Sequence, residues 1–108
     1  MARMLVIYKT PKDPVAFDRH YNEIHTPLAL ALPGLRKFEV SRGRIVPLAG
    51  ARQPYLIAEL HFDSLADIKA AFASDIGKRC GADRLQFAPD DEDVQMFLFE
   101  TADAGSPA

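Results

Sequence analysis

Met4-Leu5-Val6-Ile7-Tyr8 is the stretch on which the fold turns. It is apolar at every position, so it reads as a central strand covered on both faces rather than as a half-exposed one. The strand is expected over Arg3 to Lys9. Thr10-Pro11-Lys12-Asp13-Pro14 breaks it. Asp13 suits a helix N-cap and Pro14 the first helical position. Phe17, Tyr21, Ile24, Leu28 and Leu32 then recur at helical spacing and form one apolar stripe. Pro27 interrupts this helix, which predicts a kink near residue 26 or a second short helix capped by Thr26. Pro33-Gly34 ends it.

Residues 35–46 read as a second strand and Tyr55 to Phe62 as a third, with a Pro- and Gly-containing loop between them. Along the third strand Leu56, Ala58, Leu60 and Phe62 share one face. Tyr55, Ile57, Glu59 and His61 share the other. Ser64-Leu65-Ala66-Asp67 resembles a capping box and opens a helix carrying Leu65, Ile68 and Phe72. Ile76, Cys80 and Phe87 extend the helical pattern, although Gly77 and Gly81 weaken it. Asp90 to Asp93 reads as an exposed acidic loop and Val94 to Glu100 as the last strand.

Strand, helix, strand, strand, helix, strand is the ferredoxin-like βαββαβ order of an α+β protein. It gives an antiparallel sheet with its helices on one face. Two helices leave the second sheet face uncovered. That face would carry Tyr55, Ile57, Glu59, His61 and Glu39 together with apolar groups of the first and last strands. So much exposed apolar surface predicts a homodimer packed sheet to sheet.

The 108 residues suit one domain, and 48% apolar content suffices for a core. The single cysteine leaves no internal disulfide and no thiolate-rich metal site. The net charge of −2 is unevenly spread: residues 1–84 carry thirteen basic and nine acidic groups, whereas residues 85–108 carry six acidic and no basic ones. Scattered basic residues and a pI near 5.9 argue against a nucleic-acid partner. No secretory leader or membrane span is expected, and a cytoplasmic location is the default reading. No nucleotide-binding or nucleophile motif is present.

The histidines carry what chemistry there is. His20 and His25 are five apart, about 140° around an α-helix, so they do not form a metal-chelating pair. His25 lies beside the apolar stripe. It reads either as a helix-end residue bonding loose carbonyls or as an acid/base group in a helix–sheet pocket. His20 reads as solvated or intersubunit. Glu59 and His61 are same-face neighbours: a satisfied polar pair, or the polar groups of an apolar pocket. Cys80 reads as a small core residue.

Phe17-Asp18-Arg19-His20-Tyr21-Asn22-Glu23-Ile24-His25-Thr26-Pro27-Leu28 resembles the EthD family, as does Leu32-Pro33-Gly34-Leu35-Arg36-Lys37-Phe38-Glu39-Val40. Ala58-Glu59-Leu60-His61-Phe62-Asp63-Ser64-Leu65 adds to the likeness. The resemblance spans roughly residues 4–100 and implies a dimeric α+β barrel. The family takes its name from a protein associated with bacterial ethyl tert-butyl ether degradation. The wider superfamily includes cofactor-free monooxygenases, polyketide cyclases, muconolactone-type isomerases and haem-binding peroxidases. The resemblance implies a pocket between sheet and first helix, with His25 at a family position. At His61 many relatives carry a bulky aromatic, so the imidazole is a departure.

These readings together predict one domain over residues 1–101, with residues 102–108 as a disordered tail. They predict an enzyme without a tightly bound cofactor or metal, acting on a small hydrophobic molecule. His25 would be acid/base, with His61 or Glu59 as its counterpart; Tyr8, Tyr21, Leu28, Tyr55 and Ile57 would line the pocket. A non-catalytic binding or accessory protein is the alternative, and haem held by one histidine is a third reading.

Overall fold

Alternate residues of strand β1 (Ala2–Lys9) are buried: Ala2, Met4, Val6 and Tyr8 face the core, while Arg3, Leu5 and Ile7 are half-buried. The uniformly apolar strand is therefore covered fully on one face only. The structure, a computed structural model, describes residues 1–106. Strands β2 (Lys37–Val40), β3 (Pro54–Phe62) and β4 (Val94–Glu100) complete an antiparallel sheet of order β2-β3-β1-β4. The expected ferredoxin-like α+β architecture is thus present, with all helices on one sheet face. The register sets Met4 beside Leu60 and Leu98, and Val6 beside Ala58 and Met96.

Strand β2 is shorter than the expected residues 35–46. At its end Ser41 takes over the ladder: its N–H donates to Ile57 O at 2.7 Å and its Oγ accepts from Ile57 N at 3.0 Å. Both backbone groups of Ile57 are thereby satisfied one residue beyond Val40.

The first helical segment departs from both expected forms. Helix α1 (Pro14–His20) passes through a π turn (Tyr21–His25) into α2 (Thr26–Leu30) without a break. Asp13 caps it as expected, accepting from Ala16 N. Thr26 is helical, with φ −58° and ψ −46°, and its N–H donates to Tyr21 O five residues back. In a regular α-helix the Pro27 ring would clash with the carbonyl of the preceding turn, and the wider π turn makes room for it without a kink or a stop. The extra residue also moves the buried stripe. Tyr21 is followed inward by His25, Ala29 and Leu32, while Ile24 turns out and is 48% exposed. Beyond α2, Gly34 adopts φ +79°, as the turn into β2 requires.

The second helical segment is two helices, α3 (Leu65–Ala73) and α4 (Asp75–Phe87). Ser64 caps α3 through Asp67 N. Ser74 ends α3 in an extended conformation and caps α4 through Gly77 N at 3.1 Å. Gly77 is not a weakness in α4. A Cβ there would collide with Ala71 O and the backbone of Phe72, so only glycine lets the two helices abut. Residues 101–106 carry no regular structure; of the expected tail, residues 107 and 108 lie outside the described residues.

Candidate active site

The π turn decides which side chains meet. In an α-helix side chains four apart share a face. A π turn holds one residue more, so His20 and His25, five apart, do the same. Both rings reach a single carboxylate, Asp83 of α4. His20 Nε2 lies 2.8 Å from Oδ1 and His25 Nδ1 lies 2.9 Å from Oδ2. The expected 140° divergence fails because it assumes an unbroken α-helix. His20 is accordingly neither merely solvated nor free; it is tied to α4.

Phe87, one turn beyond Asp83, holds the assembly by packing. Its ring centroid lies 4.8 Å from that of His25, edge on, and 5.4 Å from that of His20. The same ring touches Tyr8, Phe17 and Tyr21. An imidazole fixed by a carboxylate on one side and an aromatic on another has little rotational freedom, which favours a defined orientation.

Between these helices and the sheet lies a cavity of about 110 Å³. Its sheet wall includes Met4, Val6, Ala58 and Leu60; Phe38, Phe72 and Met96 add further apolar surface. Its polar contributors are Tyr8, Tyr21, His25, Cys80 and Arg84. Arg84 also donates from Nη1 to Ala88 O at 3.0 Å, which closes the end of α4.

A carboxylate only accepts hydrogen bonds, so Nδ1 of His25 carries the proton. The Nε2 lone pair is then the ring's remaining polar group in a neutral imidazole. Burial chiefly holds His25 below the ordinary histidine range; Asp83 opposes this and the charge of His20 adds to it. Burial pushes the Tyr8 and Tyr21 hydroxyls far above the usual phenol range. It also raises the Cys80 thiol, with Asp83 adding to the effect, which disfavours the nucleophilic thiolate. The arrangement is a neutral base with two neutral phenol donors and the Arg84 guanidinium, in otherwise apolar surroundings. Among the described residues no group of three or more His, Cys, Asp or Glu side chains is arranged to hold a metal ion.

The expected partners of His25 lie elsewhere. Glu59 pairs with Leu5, His61 with Arg3, and Ile57 with Ile7, all on the sheet face away from the helices. Strand parity puts them there: Ala58 and Leu60 face the cavity, so their neighbours cannot. The pairing of His25 with His61 or Glu59 within one chain is therefore corrected. His61 Nε2 instead lies 3.5 Å from Glu59 and 3.6 Å from Glu39, buried and without a hydrogen bond among the described residues. Leu28 packs against the core but is outside the cavity lining, displaced by the π turn. Tyr55 is also misplaced by simple alternation. Beside the β1–β3 register shift it reaches round to α1, with its ring 5.5 Å from that of Phe17 and its hydroxyl donating to Asp18 at 2.8 Å.

Asp83 and Arg84 are absent from the sequence-based site. Asp83 had a legible signal: it falls on the α4 stripe of Ile76, Cys80 and Phe87, where an isolated acid needs a partner.

Residues 9–91 match the EthD domain. The chain belongs to the EthD family. Within reach of this EthD domain is the uncharacterized 11.0 kDa protein in the thcB-thcC intergenic region of Rhodococcus erythropolis. The two are 38% identical over 89 residues, covering 82% of this chain and 84% of the other. Among solved structures, an ethyl tert-butyl ether d (EthD) family protein from Bacillus halodurans superposes with a TM-score of 0.83. It is 32% identical, with 94% of this chain and 99% of that one covered. A dimeric ferredoxin-like protein of unknown function from Jannaschia sp. gives a TM-score of 0.65 at 24% identity, covering 93% and 98%. The EthD domain thus has the fold of the dimeric α+β barrels.

Proposed function

We propose that this EthD-family protein transfers a proton to or from a small, compact hydrophobic molecule, with His25 as the acid/base group. The observation that carries this reading is the His25 geometry. Its Nδ1 is held by Asp83 at 2.9 Å while its ring lines an apolar cavity. That is how a neutral imidazole is oriented for general-base work: one nitrogen fixed by a carboxylate, the other available. A cavity of about 110 Å³ favours a single ring or similar; one of about 150 Å³ holds benzene. Tyr8 and Tyr21, kept neutral by burial, would donate to an oxygen on the substrate as negative charge develops.

The test is deuterium wash-in. Small cyclic ketones with acidic C–H groups are incubated with the protein in D2O and followed by NMR. Incorporation that is lost in His25→Gln, with the ligand still binding, supports the reading. Ligand-induced thermal stabilisation with no incorporation for any ketone in the set overturns it in favour of a binding or accessory role.

The same reading includes a homodimer closed through the outward sheet face. Phe97 and Phe99, 47% and 39% exposed, lie beside the half-buried Leu5 and Arg3 there. Such a patch favours a second copy as its cover, and the Jannaschia protein of like fold is described as dimeric.

A further inference from the structure

The two histidines on Asp83 differ in what surrounds them. His25 is buried against the cavity, and its side chain is as enclosed as that of Asp83. His20 is the more open, 27% exposed, and lines a groove on the molecular surface together with Lys12, Asp13 and Asp90. One carboxylate oxygen serves each ring. Neither ring can change its charge without altering what the carboxylate offers the other, because groups this close titrate as a coupled set.

We infer that His20 is a positioning residue for the His25 base: the charge on this solvent-reached ring sets how strongly Asp83 holds the Nδ1–H of His25. With His20 neutral, the full negative charge of Asp83 supports a protonated His25. With His20 protonated, that charge is shared, and the imidazole of His25 is kept neutral to lower pH. The base is thereby tuned from the molecular surface. This inference rests on the proposed role of His25, but its test does not.

The other ionisable groups around the pair do not confuse the effect. Tyr8 on β1, Tyr21 on the π turn and Cys80 on α4 are all pushed upward by burial and stay neutral across the range concerned. Arg84 on α4 keeps its charge throughout, as a guanidinium does. Lys9, Lys12, Asp13, Asp90 and Asp93 line the groove beside His20 and are common to every variant compared below, so only the charge at position 20 differs among them.

The experiment is an NMR titration of the His25 ring proton in the full chain, without ligand, in wild type, His20→Gln and His20→Lys. Glutamine keeps a neutral donor at Asp83; lysine keeps a fixed positive charge. His20→Gln is expected to raise the His25 midpoint, and His20→Lys to leave it at or below that of wild type. The two variants should differ by roughly one pH unit, the scale of a nearby charge. His20→Arg replaces the lysine variant should that fold poorly. Equal His25 midpoints in the neutral and charged variants overturn the inference. Loss of deuterium wash-in is a separate readout. If His25→Gln leaves wash-in unchanged while the midpoints still split, the acid/base reading fails and the tuning stands.

Discussion

Burial and a neighbouring carboxylate pull a histidine in opposite directions, and at His25 burial wins. The consequence for stability has a definite sign. Above pH 6.5, the ordinary histidine value, the ring is neutral in both folded and unfolded chains. Below it the unfolded chain binds a proton that the folded chain resists, so stability falls with pH until the lowered folded value is reached. Urea unfolding of wild type and His25→Gln between pH 7.5 and 5 should therefore show wild type losing stability relative to the variant. A constant difference would mean that His25 is not held neutral. The same residue also illustrates what the sequence conceals. His25 stands out by its position beside an apolar stripe. Asp83 is legible as an acid on the α4 stripe, but its pairing with His25 is not, because the two are 58 residues apart and nothing local links them.

At the scale of elements, the α3–α4 junction rests on two residues with distinct roles. Ser74 satisfies a free N–H of the first α4 turn through Gly77 N. Ser74→Ala should cost about 1 kcal/mol in a urea melt, the usual loss of a helix cap. Gly77→Ala should cost more, roughly 1–3 kcal/mol, since its Cβ meets backbone rather than a movable side chain. If Gly77→Ala were neutral, the helices would not abut as described. The order of elements is legible in the unbroken apolar run Met4–Tyr8, the alternation of Leu56–Phe62 and the helical stripes that start at Phe17 and Leu65. The π turn is not, because Pro27 signals a disturbance without saying whether the helix kinks, stops or widens. Tyr55 escapes for a related reason: alternation along a strand fails where the register slips, and the slip lies beside it.

For the whole molecule, the sheet has two unlike sides. One is closed by four helices; the other presents Phe97 and Phe99 together with the crowded Arg3, Glu39, Glu59 and His61. Charges introduced at the centre of such a face should prevent a second copy from packing there. Phe97→Lys combined with Phe99→Lys is expected to shift sedimentation from dimer to monomer while leaving the His25 titration unaltered. A monomeric wild type at tens of micromolar would remove the basis for the dimer. The uneven charge of the sequence also finds its place at this scale. Most of the acidic surplus is a turn, where Asp93 O accepts from Lys9 N at 2.9 Å, and not an extended arm.

The wide turn at Tyr21–His25 has one more implication. Phe17, Tyr21, His25, Ala29 and Leu32 are the inward positions. Strike out one exposed residue between Tyr21 and His25, and the same side chains fall at the spacing of an unbroken α-helix. Chain length through this segment is thus decoupled from facing: a residue is spooled into the turn without rotating what comes after it. A shorter version of this helix, with Pro27 also replaced so that the turn can tighten, would present the same wall to the cavity.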